Sequence, residues 1–204
     1  MSLTLLDWRR TVFAMYADAR TSVDEDASGT LDRFRATKDV LFAEHPDTPI
    51  LPEERSSFDG LRYWPYDPDL RFDVQMEPMA PVGIPAISGV GDVYPLERIG
   101  RIRLPMGSLD VYWVAVYGGG VFVPFRDATN GTETYGAGRY LLDTVKGADL
   151  GGTDGRLVVD FNYAYHPSCA YDPKWSCPLA PPSNRLTVPI LAGERLEPEP
   201  TAAR

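Results

Sequence analysis

The chain has 204 residues, of which 44% are hydrophobic and 24% are charged. This length predicts one domain with a sizeable core, and this composition excludes intrinsic disorder for most of the chain. The 29 acidic and 20 basic residues give a formal charge of -9, and the lysines and arginines form no cluster in the sequence. We therefore expect no nucleic-acid partner, because nucleic-acid phosphates are bound by basic patches.

Two amphipathic helices are predicted at the N-terminus. Apolar residues recur at helical spacing over residues 5–19, with Thr4 as the expected N-cap, and again over residues 31–42, before Pro46. The sequence shows no signal peptide and no apolar stretch long enough to cross a membrane. We therefore expect a cytoplasmic protein with no membrane partner.

From residue 50 onward the apolar pattern changes to the alternation that is typical of strands. Strands are predicted at residues 70–76, 139–145, 157–161 and 186–191, and a hairpin at residues 109–125. The last strand contains Pro189 and should lie at an edge. Residues 77–91 are rich in proline and glycine and are predicted to form an irregular loop.

Short strands joined by tight turns, after a helical pair, predict a mainly β, α+β fold. We expect an antiparallel β-sandwich or an incomplete β-barrel. Residues 1–45 should form helices that pack on a β domain of residues 50–196, and residues 1–196 should be a single domain. Residues 197–204 are predicted to be a disordered tail.

The first chemically unusual segment is FRDATNGTETYGAGRYL, which begins at Phe125. In one interpretation its polar side chains only satisfy its own backbone. In the other, Arg139 binds an anionic group of a ligand, because a guanidinium matches the geometry of carboxylate or phosphate. Thr134 and Tyr135 are then ligand-binding candidates, and Asp127 is a candidate general base.

The second such segment is DFNYAYHPSCAYDPKWSCPLAPPSNRL, which begins at Asp160. Asp160 and Asn162 project from the same face at a strand end, where they either line a cavity or form a solvated face. Asp160 is a second candidate general base. Asn162 and Tyr165 are candidate ligand-binding residues.

Four residues of the chain could in principle hold zinc, namely His45, His166, Cys169 and Cys177. Their spacing differs from the usual zinc patterns, so two structural thiols or a facultative disulfide is the preferred interpretation. A cysteine nucleophile paired with His166 is a third alternative. We expect the two thiols to lie close together. The sequence contains no P-loop or dinucleotide fingerprint, so no cofactor is predicted.

Both segments resemble the signature of the family catalogued as domain of unknown function 1684, found in bacteria and haloarchaea. KDVLFAEHPDTPI and FDGLRYWPYDP fit the same pattern, so the resemblance spans residues 5–196. It implies these recurrent positions: Phe125, Asp127, Thr129, Thr134, Tyr135, Gly138, Arg139, Tyr140, Asp160, Asn162, Tyr165, Cys169, Cys177, Pro178, Asn184 and Glu194. Relatives usually have asparagine in place of His166, which argues against an obligatory zinc or catalytic role for that histidine. The resemblance implies no particular activity.

Three functions follow as hypotheses. The favoured one is binding of a small ligand, with anionic ligands included, in a pocket of the barrel or sandwich. The side chains expected to converge there are Asp127, Tyr135, Arg139, Asp160 and Asn162. The second is a hydrolase or isomerase that uses Asp127 or Asp160 as its base. The third is a structural or interaction module without catalysis.

Overall fold

The computed structural model describes residues 3–196. Within them lie two helices, α1 Leu3–Ser22 and α2 Ala27–Glu44, and nine strands, β1 Arg62–Tyr63, β2 Arg71–Gln75, β3 Glu77–Ile87, β4 Val93–Leu104, β5 Gly107–Val114, β6 Gly120–Phe125, β7 Arg139–Asp143, β8 Arg156–Asp160 and β9 Glu194–Arg195. Short 3-10 turns lie at Pro68–Leu70, Thr144–Lys146, Phe161–Tyr163 and Ser168–Ala170. The tail predicted at residues 197–204 lies outside the described residues.

The two helices form as predicted, with one difference at the start of α1. The helix α2 begins where the Asp26 carboxylate accepts a 2.9 Å hydrogen bond from the backbone N–H of Gly29, and it ends before Pro46. The prediction of Thr4 as an N-cap is wrong, because α1 already includes Leu3. No helix in residues 3–196 combines the length and the apolar character needed to cross a membrane.

The apolar faces of both helices pack against the β part of the chain. Met15 and Ala19 of α1 and Phe34 of α2 are buried in one cluster with Leu150 and Tyr163. The Phe34 ring contacts the Tyr163 ring edge-on, with 4.9 Å between centroids. The helical pair therefore covers two segments, the one after β7 and the one after β8.

Five strands form an antiparallel sheet in the order β3-β4-β5-β6-β7, and the outer strands β3 and β7 do not pair with each other. Two further antiparallel pairs, β2 with β8 and β1 with β9, complete the β part. The expected mainly β, α+β class with an N-terminal helical pair is confirmed. The barrel is not closed.

The largest core cluster lies between this sheet and the β2–β8 pair. Its buried members are Ile102, Leu104, Leu109, Val111, Val123, Phe125, Leu141, Leu142, Val159, Phe161, Ala164, Leu186, Ile190 and Ala192. Most come from β4 to β8 and the rest from later segments, so burial of apolar area ties the C-terminal part of the chain to the sheet.

The prediction of an irregular loop over residues 77–91 is wrong, because β3 occupies most of it. β3 is an edge strand that pairs only with β4, and its register shifts between Pro78 and Val82. Proline cannot donate a hydrogen bond, but an edge strand uses only one side of its backbone, so prolines are tolerated there. β4 is absent from the predicted elements, because charged residues and Gly100 interrupt its apolar pattern.

The prediction of a strand at Leu186–Leu191 is also wrong, since β9 begins only at Glu194. The backbone carbonyls of Ile190 and Ala192 accept hydrogen bonds from the Arg139 guanidinium instead of from a neighbouring strand. Leu186 and Val188 make single backbone hydrogen bonds with Arg126 and Ala128, so the segment is satisfied partly by a side chain and partly by irregular pairing, which sequence periodicity does not reveal.

Candidate functional site

The Arg139 guanidinium is fully buried and is bound by the chain's own acceptors. Its Nη2 donates to Asp127 Oδ2 over 2.6 Å and to the Ile190 carbonyl over 2.8 Å. Its Nη1 donates to the carbonyls of Ala192 and Glu194. Arg139 therefore links the loop after β6 to the C-terminal segment.

Thr134 and Tyr135 lie in the same loop but have different surroundings. Thr134 is fully buried, and its hydroxyl shares a 2.8 Å hydrogen bond with that of Thr129. The backbone N–H of Tyr135 donates to His166 Nε2 over 3.2 Å. Burial, together with hydrogen bonding to Cys169, raises the pKa of the Tyr135 hydroxyl to about 12. The first segment thus contacts the second through Tyr135.

Asp160 and Asn162 form a separate buried cluster at the end of β8. Asp160 Oδ1 accepts hydrogen bonds from both the backbone N–H and the side-chain amide of Asn162. The Asn162 amide also binds the backbone N–H and carbonyl of Asp67. Burial raises the pKa of Asp160, and Arg71 lies 3.8 Å from its other oxygen. These contacts join the end of β8 to the chain segment at Asp67.

A cavity of about 370 Å³ lies between the helical pair and the second segment. Its walls are largely apolar, and its lining residues include Trp8, Arg9, Lys38, Phe42, Asp47, Lys146, Tyr165, His166, Trp175 and Cys177. Of the sequence-predicted candidates, Tyr165, His166 and Cys177 line it. Asp127, Thr134, Tyr135, Arg139, Asp160, Asn162 and Cys169 are not among its lining residues.

Lys38 and Glu194 form a buried ion pair at one end of this cavity. Lys38 lines the cavity and hydrogen-bonds Glu194 Oε1. Its ammonium also lies 4.7 Å from the centroid of the Tyr165 ring. Glu194 Oε2 accepts hydrogen bonds from the His166 backbone N–H at 2.7 Å and the Tyr171 hydroxyl at 2.9 Å. Burial pushes the pKa of Glu194 upward, but Lys38 and the other partners hold it below its ordinary value.

Lys38 is not among the site residues predicted from the sequence. Glu194 is named there only as a position that the family resemblance implies to be recurrent. Lys38 is the first residue of the KDVLFAEHPDTPI stretch, which fits the family pattern. Its place in that stretch was the signal that could have identified it as a site residue. The two residues are 156 positions apart, and nothing local in the sequence pairs them.

His166 is neutral in this site. Burial lowers its pKa to about 4, although the Glu194 carboxylate opposes that shift. Its Nε2 accepts a hydrogen bond from Tyr135, so the neutral ring carries its proton on Nδ1, which lies 3.7 Å from Glu194 Oε2.

Cys169 and Cys177 are buried free thiols. The neighbouring Cys169 thiol lowers the pKa of Cys177, while the pKa of Cys169 itself is raised. The two thiols are therefore close together, as expected from the sequence. Residues 3–196 contain no group of three or more His, Cys, Asp or Glu side chains arranged to hold a metal ion.

Comparison with known proteins supports the resemblance seen in the sequence. Residues 56–195 match the model of the family described as protein of unknown function, DUF1684. Among solved structures, the chain is similar to the solution NMR structure of the uncharacterized protein from gene locus rrnAC0354 of Haloarcula marismortui. The two share 36% identity over 86% of this chain and 97% of that one, with a TM-score of 0.60. No curated protein matches. The chain therefore belongs to the DUF1684 family of proteins of unknown function.

Proposed function

We propose that this protein binds a small, mainly apolar, anionic ligand in the cavity between the helical pair and the second segment. The observation that carries this proposal is the make-up of the cavity wall. It combines apolar and aromatic side chains with three cationic side chains, Arg9, Lys38 and Lys146, and one carboxylate, Asp47. Concave apolar sites with a few charged groups are the usual form of small-molecule sites.

The size of the cavity supports a small ligand. A volume of about 370 Å³ lies at the lower end of the range of roughly 300–1,000 Å³ for ligand sites. The aromatic rings of Trp8, Phe42 and Tyr165 give it rigid apolar walls. Apolar groups of a ligand would gain free energy by leaving water for these walls.

The charges around the cavity support an anion over a cation. Lys38 is neutralised by Glu194 behind it, which leaves Arg9 and Lys146 as the exposed cations among the lining residues. In a chain with a formal charge of -9, this local excess of positive charge favours a ligand with a carboxylate or similar group.

The other two hypotheses have less support from the geometry. Asp127 and Asp160, the candidate general bases, are bonded to Arg139 and to Asn162 and do not line the cavity. A purely structural module would leave the cavity without a ligand, and that is one outcome of the test below. We also propose that the chain is a single domain, that it is cytoplasmic and that it has no nucleic-acid partner.

Octanoate binding, followed by tryptophan fluorescence, tests the proposal. Trp8 and Trp175 both line the cavity, so octanoate should change their emission in a saturable way. Octylamine and octanol are matched probes with the same chain and a positive or no charge. We expect octanoate to bind a few-fold more tightly than octylamine, in line with about 0.2–1 kcal/mol per charge contact at an exposed site.

The variants Arg9→Gln and Lys146→Gln make the test specific. Both residues are exposed, so the fold should tolerate the change, and each should reduce the preference for octanoate over octanol. Thr37→Gln, on an exposed helical position outside the lining residues, is the control. Fluorescence that does not respond to any of the three probes, or an equal response to octanoate and octylamine, would overturn the proposal.

A further inference from the structure

The cavity is elongated along the helical pair. Six of its lining residues lie at helical spacing on one face of α1, namely Leu5, Trp8, Arg9, Val12, Met15 and Tyr16. The helix α2 contributes Phe34, Lys38, Leu41 and Phe42. At 1.5 Å per residue, the lined face of α1 is about 12 Å long between Trp8 and Tyr16.

Two ring pairs mark the ends of this stretch. The rings of Trp8 and Phe42 lie 5.3 Å apart between centroids, and those of Tyr16 and Phe34 lie 4.9 Å apart. Both pairs join α1 to α2, and within each helix the two positions are about two turns apart. The cavity therefore follows the two helices from one ring pair to the other.

The segment after β7 runs beside α1 in the same direction. The Val145 carbonyl accepts a hydrogen bond of 2.7 Å from the Arg9 guanidinium, and the Asp149 carbonyl accepts one of 2.6 Å from Arg20. Ala148 also lines the cavity and lies between these two contacts in the chain. It is therefore beside the second half of α1.

One end of the cavity is closed. Tyr16, Phe34 and Ala148 line the cavity, are buried and belong to one core cluster. The cluster also contains Leu31 and Tyr163, which are not among the lining residues and so lie behind the wall. The protein interior therefore blocks this side, and Tyr16, Phe34 and Ala148 form the closed end.

The opposite end is open and charged. Arg9 and Lys146 line the cavity and are exposed, and Arg9 binds the carbonyl of the residue just before Lys146, so the two cations are neighbours. Asp47 also lines this open end, since its backbone N–H donates to His45, whose ring contacts Trp8. Two cations and one carboxylate suit a head group with a single negative charge.

The wall between the two ends is mainly apolar, although Lys38 lies within it. The Lys38 ammonium is paired with Glu194 and lies 4.7 Å from the centroid of the Tyr165 ring, so its charge is already compensated. Val12 and Met15 line the same stretch on the side of α1. An apolar chain that passes Lys38 therefore meets a neutralised ion pair and aliphatic or aromatic side chains.

We propose that the ligand is a straight-chain fatty acid, with its carboxylate at the open end and its alkyl chain extending to the closed end. The proposal rests on the proposed function and adds the class of the ligand and its orientation. A straight chain buries its whole length between the two helices, and each methylene that leaves water adds affinity. A second charged group at the far end of the ligand would be buried at the closed end, which is unfavourable.

A chain-length series tests the ligand class. Hexanoate, octanoate, decanoate and dodecanoate are titrated below their micelle-forming concentrations, with the tryptophan emission as the signal. Each added pair of methylenes should tighten binding about tenfold until the chain reaches the closed end, and longer chains should gain nothing more. Suberate, which has eight carbons and a carboxylate at both ends, should bind at least about tenfold more weakly than octanoate.

Variants at the closed end test where the chain stops. Ala148→Leu fills this end, so the gain in affinity should stop at a shorter chain than in the wild type. Phe34→Leu enlarges it, so the gain should continue to a longer chain, which provides a second test if Ala148→Leu does not fold. Ala14→Leu, at an exposed position of α1 outside the lining residues, is the control and should leave the series unchanged.

Brominated ligands test the orientation, because bromine quenches a tryptophan that it contacts. In Trp175→Phe, Trp8 is the tryptophan that remains among the lining residues. Bromine beside the carboxylate should then lie near Trp8, so 2-bromooctanoate should quench the emission more strongly than 8-bromooctanoate. The reverse order would contradict the proposed orientation.

The outcomes separate this proposal from the proposed function. If octanoate binds more tightly than octylamine but suberate binds as tightly as octanoate, or affinity does not rise with chain length, the fatty-acid proposal is wrong and the binding function stands. If no carboxylate of the series changes the emission of the wild type, both proposals are wrong.

Discussion

Arg139 Nη2 and Asp127 Oδ2 are 2.6 Å apart, and neither side chain has any exposure to solvent. The same guanidinium binds three backbone carbonyls of the C-terminal segment, at Ile190, Ala192 and Glu194. A planar group with five donors suits such a site, because one side chain can satisfy several acceptors held at fixed angles.

Removal of one partner of this pair should be costly. We expect Arg139→Met to lower the free energy of unfolding by about 3–5 kcal/mol, because Asp127 is left as a buried charge without its partner. Urea denaturation measures the change. Arg156→Met, which breaks an exposed pair with Asp73, is the control and should cost about 1 kcal/mol or less. An Arg139→Met protein of wild-type stability that no longer binds octanoate would instead indicate a ligand-binding role for Arg139.

Asn184 should also be important for stability. It is fully buried, and its side chain accepts from the Asp110 backbone N–H and donates to the carbonyls of Asp110 and Pro124. Asn184→Ala leaves these backbone groups of β5 and β6 unsatisfied, so we expect a loss of about 2–3 kcal/mol in thermal or urea unfolding. Thr187→Ala, at an exposed position of the same segment, should change stability by about 0.5 kcal/mol or less; a similar loss in both variants would contradict this role.

The backbone before Arg139 requires glycine. Gly138 has φ +103°, and a Cβ there would lie 2.4 Å from the Phe125 carbonyl oxygen. Gly131 has φ +82° but open space around it, which makes it a matched control. We expect Gly131→Ala to cost about 1 kcal/mol from the backbone alone and Gly138→Ala at least about 1–2 kcal/mol more, in urea unfolding. Equal losses would show that the carbonyl contact is unimportant.

Stability should fall between about pH 6.5 and pH 4 because of His166. Its pKa is about 4 in the folded protein and about 6.5 in an unfolded chain. Since the unfolded state binds the proton more readily in this range, the contribution is fully present above pH 6.5 and is lost as the pH falls toward 4. The full effect is on the order of 3 kcal/mol.

Unfolding in urea at several pH values measures this dependence. His166→Asn removes the titrating ring, so its stability should vary less over the same pH range than that of the wild type. Glu194, whose pKa is also held below its ordinary value, adds a further loss at the acidic end in both proteins. Parallel pH curves for the two proteins would show that His166 does not titrate in this way.

Local patterns in the sequence were sufficient for the helices and for most strands. The 3.6-residue spacing around Phe34 and the alternation in β2 and β5 reflect which faces of each helix or strand are buried. This signal lies within a single element and can be read from its own sequence. Membership of the family was likewise recognisable from the two polar segments, which are contiguous in the chain. The errors included β4, whose apolar pattern is interrupted, and β3 and Leu186–Leu191, where an edge position and the Arg139 side chain help to decide how the backbone is satisfied.

Only the tertiary structure decided which polar residues lie together. Arg139 and Asp160, both singled out from sequence, have buried partners elsewhere, whereas Lys38 and Glu194 meet across 156 positions at the end of the cavity. The alternating and helical patterns report which face of an element is buried, but they carry no information on which distant element covers it. The cavity exists because α1 and α2 pack against the segment after β8, and that arrangement depends on contacts far apart in the chain.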